Sequence, residues 1–557
     1  MKSNRTFNLQ ESIKYGLLAG LISLALSVIG FIALFGEREM ISGIVTMAHI
    51  FLFGAPVALA FVAAEKTLEQ SKGRAIGYGV LIGVIATIPL ILLVMIATSI
   101  NIRQFLVNVS PELIDILTFE KNLVTGSVLL VAAMGVAGGL AAVVRILPEN
   151  IRHPILTATG WTLVVGTFSE ILLGRLRSFF GRGFTRLIFT GSSLNPIFAV
   201  ILFVAVAAIT VWWDRRGSRV RERIENLPPA QQQNLDRAKK GLGVVLLLVL
   251  PLLLGSYLSE VINNVGLYII MGFGLNIVVG FAGLLGLGYV AFFAIGAYVM
   301  GILTSEGHLG LGFTFWSALP FSVITATLAG IILGIPVLRM RGDYLAIVTL
   351  GFGEIIRILA LSDLLKPYIG GAQGVLQIPK PSLFGFELIK PEALYYIILA
   401  GVLLAAFISW RLRDSRLGRQ WMAMREDEDV AEAMGINLVN TKLLAFATGA
   451  AFSGLSGAIF ASKLTSIFPH SFNLIISINV LSLIIVGGIG SLPGVVVGAL
   501  ILVGLPELLR EFAEHRMLMY GALLIVMMLA RPEGFWPSEV RKRELHAHKE
   551  LESASSD

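Results

Sequence analysis

The stretch 416-RLGRQWMAMREDEDVAEAMGIN-437 carries five ionisable residues in a row, Arg425 to Asp429, yet it stands between two apolar runs at 393–411 and 442–462. Each run is long enough to cross the hydrocarbon core of a bilayer, which takes about 17–25 residues of helix. A charged segment between two such runs must lie in water on one side of a membrane. The pattern predicts a membrane protein in which a polar segment connects two spans.

The composition extends this prediction to the whole chain of 557 residues. It is 56% hydrophobic and 14% charged, whereas a soluble domain carries about 25% charged residues. Long apolar runs recur and the short alternating strands of a membrane barrel do not, so we expect an all-α polytopic membrane protein. The chain has no cysteine, which excludes disulfides and thiolate metal sites. The net charge of +7 fits basic cytoplasmic loops, so no nucleic-acid partner is expected.

Sixteen candidate spans can be assigned. The first half offers six, near 13–35, 41–64, 75–98, 122–145, 154–173 and 190–213. The second half offers ten, near 241–262, 265–281, 289–304, 314–338, 344–362, 393–411, 442–462, 474–490, 494–510 and 515–530.

A polar stretch divides the two halves. Residues 214–240 hold eight Lys or Arg against four acids, with Pro228 and Pro229 in the middle. Proline disfavours one continuous helix, so we expect a basic, solvated cytoplasmic linker. The predicted domains are therefore a helical domain at 1–213, the linker at 214–240, a second helical domain at 241–540 and a cytoplasmic tail at 541–557.

Alternation from a cytoplasmic Lys240 also places the loop at 339–343, with Arg339 and Arg341, and the charged segment at 412–441 inside. One segment resists this scheme. The alternation places residues 174–186, GRLRSFFGRGFTR, on the extracytoplasmic side of the membrane, although their four arginines would favour the cytoplasmic side. Either this segment is an amphipathic helix lying on the membrane, or one span of the first half is misassigned.

The chain has no phosphate-binding loop of the G-x-x-x-x-G-K-[ST] type, because the dipeptide Gly-Lys does not occur in it. Inside the predicted spans the clearest ionisable residues are Glu354 and Arg357, three apart and so on one helix face. They form either a pair that fixes helix packing or the polar lining of a pathway or gate. An ion-driven transporter usually needs several such groups, which counts against that class.

Glycine clusters interrupt two apolar runs, at 280-GFAGLLGLG-288 and 486-VGGIGSLPGVVVG-498. Small residues let membrane helices approach closely, which is one interpretation. The other is a pair of broken helices whose freed backbone groups line a cavity. The candidate residues of a translocation pathway or gate are Asn276, Gly283, Gly286, Gly288, Tyr344, Glu354, Gly487, Gly488 and Gly490.

The loop at 363–392 contains Gly370, Gly371 and Gly374 followed by three prolines, and it falls outside the membrane. It is either a connector or a shaped surface for docking or gating.

The charged segment itself has two interpretations. If 419–434 is helical, Val430, Ala433 and Met434 form a short apolar stripe, and Gly435 stops the helix. It is either a solvated loop helix or a lever seated in a soluble partner. Since this chain has no ATP site, the expected partner is a separate ATPase. The candidate coupling residues are Arg425, Glu426, Asp427, Glu428, Glu432, Ala433 and Gly435.

Residues about 241–540 resemble the permease subunits of branched-chain amino-acid ABC importers, of the M type in the leucine/isoleucine/valine system. The resemblance is carried, in the family's usual order, by LNIVVGFAGLLGLGYVAFFAIGAY, RMRGDYLAIVTLGFGEIIRIL, GGAQGV, SRLGRQWMAMREDEDVAEAMGINLVNTKLLAF, IVGGIGSLPGVVVGAL and RPEGFW.

The resemblance implies a type II importer permease of about ten helices in a bacterial inner membrane. It implies a second homologous permease, two ATPase subunits that bind ATP and magnesium, and an extracytoplasmic substrate-binding protein. No cofactor, metal or catalysis is expected on this chain. Glu432, Ala433 and Gly435 look like the family's Glu-Ala-Gly loop that contacts the ATPase, although Gly435 follows more closely than in the generic pattern.

The implied substrates are leucine, isoleucine and valine, with urea or simple amides as the alternative inside the family. An ion-coupled secondary transporter centred on Glu354 is the alternative outside it, and a non-transporting scaffold is a third. The resemblance does not reach the first 213 residues, for which we expect a role in scaffolding or regulating the permease.

Overall fold

The structure is a computed structural model that describes residues 8–68, 71–100, 102–225, 228–307, 310–337, 340, 342–383, 385–508, 521, 524–525, 527, 531 and 533–537. The chain forms two compact units, Met1–Ala238 and Lys239–Asp557. Helices dominate both units, and the strands are short. The last predicted span at 515–530 lies mostly outside the described residues, and Arg339, Arg341 and the tail at 541–557 lie entirely outside them.

The first unit is a helical bundle with one small sheet. Its helices are α1 (Leu9–Ile29), α2 (Phe31–Leu34), α3 (Met47–Thr67), α4 (Lys72–Ser99), α5 (Pro111–Thr118), α6 (Leu123–Ile146), α7 (Glu149–Thr167), α8 (Ser169–Ile188) and α9 (Pro196–Glu225), with a 3-10 turn at Ile102–Gln104. The strands β1 (Glu39–Ile41), β2 (Val45–Thr46), β3 (Phe189–Thr190) and β4 (Ser193–Leu194) pair in the order β2-β1-β4-β3. Only the β1–β4 pair is parallel.

The second unit contains the remaining elements, the first of which, α10, begins ten residues before the unit boundary. They are α10 (Pro229–Leu275), a π-helical turn (Asn276–Phe281), α11 (Val290–Thr304), α12 (Phe315–Val337), α13 (Asp343–Leu361), α14 (Lys366–Ile369), a 3-10 turn (Gly371–Gln373), β5 (Ser382–Leu383), β6 (Phe386–Glu387), α15 (Pro391–Arg413), α16 (Arg416–Glu426), α17 (Glu428–Ala433), α18 (Leu438–Leu464), a 3-10 turn (Pro469–Ser471), α19 (Leu474–Gly487), α20 (Leu492–Ala499), a second π-helical turn (Leu500–Gly504) and α21 (Leu505–Leu508).

Helix α18 is the centre of the second unit. It packs against α11 and α12, and small residues permit the close approach. A side chain at Gly457 would collide with the carbonyl of Phe293, and one at Gly296 would collide with the backbone of Gly454. Because lipid supplies no hydrophobic force between helices, this close packing, together with hydrogen bonds such as the one from the Tyr289 hydroxyl to the Gly449 carbonyl, holds the helices together.

The prediction of an all-α polytopic membrane protein is confirmed. In the described part of the chain, eleven helices are long and apolar enough to span a membrane, and the bent pair α7 and α8 makes a twelfth. The predicted spans at 241–262 and 265–281 belong to one long helix that is broken at Gly255, with φ of 70°. Those at 289–304 and 494–510 are shorter apolar helices, Val290–Thr304 and Leu492–Glu507.

The stretch predicted as a solvated linker is helical on both sides of its prolines. Helix α9 continues to Glu225, and α10 begins at Pro229. Proline is tolerated at the first position of a helix because the amide that it lacks has no partner there. The prolines therefore separate two helices, as expected, but most of the stretch is not irregular.

The arginine-rich segment 174–186 lies in α8, which is bent by 75° from α7. Gly181 interrupts α8 with φ of 77°. Phe179, Phe180 and Phe184 are exposed beside the arginines. Apolar and cationic side chains on one bent helix are typical of a segment that lies on a membrane, which favours the first of the two interpretations of this segment.

We expect Gly83→Ala to lower the free energy of unfolding by about 1–3 kcal/mol, as overpacking does. A methyl group at Gly83 in α4 would collide with the backbone carbonyl of Met134 in α6. Gly77→Ala is the matched control, since Gly77 lies in the same helix and nothing is within 4 Å of its added methyl group. Thermal unfolding of the two variants in detergent measures the difference. Equal midpoints would contradict the packing argument.

Candidate coupling and translocation site

Two helices of the second unit are broken at the glycine clusters. The chain leaves regular structure between the turn Asn276–Phe281 and α11, and again between α19 and α20. The breaks meet, because the buried side-chain oxygen of Asn276 accepts a hydrogen bond from the amide of Gly490 at 2.8 Å. A side chain at Gly280 would collide with this Asn276 oxygen. Both interpretations of the clusters therefore hold in part: the helices are broken, and the glycines permit close contact.

Arg425 joins the charged segment to the first break. Its Nη1 donates a hydrogen bond to the carbonyl oxygen of Gly280 at 2.9 Å. Gly283, with φ of 72°, lies directly beneath Arg425, and an added Cβ would approach the Arg425 Cγ to 2.8 Å. Glycine adopts this positive φ without strain, and any side chain at position 283 would displace Arg425. The contact between Arg425 and the first break therefore requires glycine at position 283.

A cavity of about 710 Å³ lies where α16 and the two breaks meet. Gly280 and Gly490 line it from the breaks, and Arg425 and Glu426 line it from α16. Trp536 closes another side. The freed backbone of both breaks thus borders a cavity, and the charged segment forms one of its walls.

The RPEGFW segment closes the second break. The amides of Phe535 and Trp536 donate hydrogen bonds to the carbonyls of Val486 and Gly487, both at 2.9 Å. Gly488 has φ of 116°, and an added Cβ at Gly534 would approach the Cα of Gly488 to 2.5 Å. The structure therefore places Gly487 and Gly488 at a contact between two chain segments, a role that we did not expect.

The charged segment is two helices, so the prediction of one helix over 419–434 is wrong. Asp427 separates α16 from α17 with an extended backbone, φ of −158°. Its side chain accepts hydrogen bonds from the amides of Asp429 at 2.9 Å and Val430 at 3.0 Å. A carboxylate at the N-cap satisfies amides that otherwise lack partners, which stabilises a new helix start at this point.

Helix α16 is fixed to α18 by Trp421. The indole is fully buried, and its Nε1 donates a hydrogen bond to the carbonyl of Thr441 at 2.8 Å. The neighbouring Ser415 caps α16 by accepting from the amide of Gly418 at 3.1 Å. Neither residue was a candidate from the sequence, although a tryptophan in a charged segment is itself a signal of a buried face.

Helix α17 has one anchored face and one open face. On the anchored face, Lys442 is 3% exposed and its Nζ lies 2.8 Å from an oxygen of Glu428. On the open face, Val430 is 58% exposed and Met434 is 79% exposed. Glu432, Ala433 and Gly435 are exposed too, and Gly435 ends the helix with φ of 86°. The predicted apolar stripe therefore exists and faces away from the rest of its unit.

Glu354 and Arg357 form an ion pair on α13. The Arg357 Nε lies 3.0 Å from both carboxylate oxygens, and Nη2 contacts one of them as well. A small cavity of about 250 Å³ brings Glu354 together with Gly288. Of the predicted pathway residues, Glu354 and Gly288 thus line the smaller cavity and Gly490 lines the larger one, whereas Tyr344 and Gly286 line neither.

The sequence patterns did not predict a second charged pair in this unit. Lys463 is buried at the end of α18, and its Nζ lies 2.6 Å from Glu260 on α10 and also contacts Asn264. Glu260 lies inside a predicted span, so an acid in an apolar run was the available signal. Its partner is far away in the sequence, and local patterns do not reveal such pairs.

The loop after α13 is shaped and fixed. Val375 and Ile467 exchange two backbone hydrogen bonds, at 3.0 and 2.9 Å. A side chain at Gly374 would collide with the carbonyl of Ile467.

In the described residues, no group of three or more His, Asp or Glu side chains is placed to hold a metal ion.

Many membrane-length apolar helices, two of them broken beside cavities, together with a polar helix pair, define a multi-pass membrane protein. Residues 257–530 match the family described as branched-chain amino acid transport system / permease component. The chain is 42% identical over 326 residues to the high-affinity branched-chain amino acid transport system permease protein LivM of Escherichia coli (strain K12), which covers 54% of this chain and 75% of that protein. It belongs to this family as an ABC permease of LivM type.

Two further relatives extend the comparison. The permease protein LivH of Escherichia coli (strain K12) is 29% identical over 195 residues, 32% of this chain and 62% of LivH. A probable LivM of Methanocaldococcus jannaschii is 23% identical over 264 residues, 43% of this chain and 73% of that protein. No solved structure matches the chain.

We expect Lys442→Met to lower the free energy of unfolding by about 3 kcal/mol, because it removes the buried cation that faces Glu428. Adding Glu428→Gln to this variant should restore part of the loss, since the double variant has no buried charge at this contact. Chemical denaturation of the two single variants and the double variant measures the coupling. Additive losses would show that the pair does not anchor α17.

Proposed function

We propose that this chain is the LivM-type permease subunit of an ABC importer that carries leucine, isoleucine and valine into the cell. It forms the pathway together with a second, LivH-type permease. Two separate ATPase subunits bind ATP and magnesium and drive it, and an extracytoplasmic binding protein delivers the substrate. The complex resides in a bacterial inner membrane, and this chain hydrolyses nothing itself.

The open face of α17 carries the proposal. An apolar stripe of Val430, Ala433 and Met434 is exposed beside Glu432, and a short amphipathic helix of this kind seats in a groove of a partner protein. Asp427 and the Lys442–Glu428 pair hold α17 in place before a partner binds. A preorganised helix loses less freedom on binding, which favours a docking role over a solvated loop.

Movement of the ATPase would reach the pathway through α16. Trp421 ties α16 to α18, and Arg425 ties it to the first break. Because both contacts are direct hydrogen bonds from α16, a displacement of α16 shifts α18 and the break together. Such a shift exchanges inward-open and outward-open states, as packed helices move between discrete arrangements.

The second permease is expected on the outer face of α13. Tyr344 is 75% exposed there, and Ile347, Ile355 and Ile358 are exposed along the same helix. Glu354 is 45% exposed beside them. Charged side chains within a span face a protein interior or an aqueous cavity rather than lipid. The homologous LivH-type subunit supplies such a cover.

The binding protein would dock on the loop after α13, whose backbone is fixed to the segment at 465–467.

Urea or a simple amide remains the alternative substrate. An ion-coupled transporter is less well supported, because Glu354 is held in an ion pair with Arg357 and Glu260 in one with Lys463. For the first unit, Met1–Ala238, we propose a scaffolding or regulatory role.

We expect Glu432→Lys to abolish ATP-driven leucine uptake, because it reverses a charge on the face of α17 that meets the ATPase. Since Glu432 is exposed, the variant should insert and fold at wild-type levels. The measurement is uptake of labelled leucine into cells, normalised to the amount of permease in the membrane. Co-purification of the ATPase subunits from the same membranes shows whether docking is lost.

Glu149→Lys is the matched control. Glu149 begins α7 in the other unit and its side chain is 85% exposed, so the same charge reversal should leave uptake unchanged. Full uptake by Glu432→Lys would refute the coupling role of α17. Uptake that persists without any ATPase subunit and is lost in Glu354→Gln would instead support ion coupling.

A further inference from the structure

The small cavity beside Glu354, the α13 cavity, has the dimensions of a site for one small metabolite. Its volume is about 250 Å³. That is below the roughly 300 Å³ at which pockets for drug-sized ligands begin, yet it is equal to about eight waters at 30 Å³ each. A molecule of six to ten heavy atoms fits a space of this size.

The lining of the α13 cavity is apolar except at one point. Leucine, valine and phenylalanine side chains supply most of it, and Glu354 is its ionisable residue. The apolar wall consists of Leu287, Val290, Leu350, Phe472 and Leu474. Since branched aliphatic groups gain about 25 cal/mol per Å² on leaving water, this wall favours a compact aliphatic side chain.

Glu354, the ionisable residue of the lining, is one half of an ion pair, and its partner Arg357, three residues further along α13, lies outside the lining. Arg357 donates to both oxygens of Glu354, with Nε at 3.0 Å from each, and both side chains remain partly exposed. A pair of this kind offers an acceptor for an ammonium group and a donor for a carboxylate next to each other. A zwitterionic amino acid presents these two groups on one carbon, whereas urea or an amide presents neither.

The position is that of a transport site. Glu354 is the twelfth residue of the 19-residue helix α13, so it lies near the middle of the span. The first break borders the cavity, since Gly288 lines it and an added Cβ at Gly353 would lie 3.3 Å from the Cα of Gly288. Transport sites in other membrane proteins lie at this depth and beside broken helices.

We propose that the α13 cavity is a transient binding site for a zwitterionic aliphatic amino acid. Its ammonium group binds Glu354, its carboxylate binds Arg357, and its side chain packs on the apolar wall. The inference rests on the proposed import function and adds a selective site inside the permease itself. The permease then discriminates against neutral amides after the binding protein has released its cargo.

The test uses the purified full-length chain in lipid nanodiscs and a leucine analogue that carries a photoreactive diazirine in its side chain. After illumination, labelled peptides are mapped by mass spectrometry. We expect label at 287–290, 350–354 or 472–474. A hundredfold excess of leucine should suppress it at least tenfold, and the same excess of urea should not. Label confined to other peptides would overturn the proposal.

Two variants of α13 sharpen the result. Leu350→Phe fills the cavity and should reduce the label at least tenfold, whereas Leu359→Phe makes the same change on this helix away from the cavity and should not. Glu354→Gln keeps the size of the side chain and removes its charge, and it should lose the label as well. Equal labelling of Leu350→Phe and Leu359→Phe, with equal thermal stability, would refute the site.

Uptake by the complete importer separates the two proposals. If cells take up leucine but the chain is labelled elsewhere, the site is wrong and the import function stands. If the cavity is labelled and leucine competes, but uptake of leucine does not depend on this chain, the site stands and the import function is wrong.

Discussion

Inside a bilayer every backbone amide and carbonyl must find a partner within the protein, because no water is available to supply one. The two breaks of the second unit release such groups between successive apolar helices. Asn276 satisfies the amide of Gly490, Arg425 satisfies the carbonyl of Gly280, and the amides of Phe535 and Trp536 satisfy the end of α19. The permease unit is organised around these few contacts.

One consequence is that the charged helix pair and the first break share a residue. Arg425 belongs to the helix pair that faces the aqueous side, yet its side chain completes the first break. A displacement of α16 would therefore reach the first break directly, through this one hydrogen bond. The α13 cavity lies at the other end of the same break, at Gly288, so fewer than ten residues of irregular chain separate it from the contact with Arg425.

Local patterns in the sequence predicted most of the spans and the open stripe at Val430 and Met434, and they offered both helix breaks as one of two interpretations, because each feature depends on residues that are close neighbours in the chain. They did not predict the break at Asp427, since an aspartate within five ionisable residues is as compatible with a helix surface as with an N-cap. The roles of Gly487 and Gly488 and the Lys463–Glu260 pair also escaped, because their partners are remote. Substrate class came from resemblance alone.

The dependence of the second break on RPEGFW has a consequence for biosynthesis. Phe535 follows Val486 by 49 residues, and ribosomes add about 5–20 residues per second. The end of α19 must therefore wait about 2–10 s in the nascent chain before its carbonyls acquire these donors. During that interval the unit is unfinished, and a chain truncated before Phe535 lacks both donors at the end of α19. Quality control in the membrane would have an exposed, polar helix end to recognise.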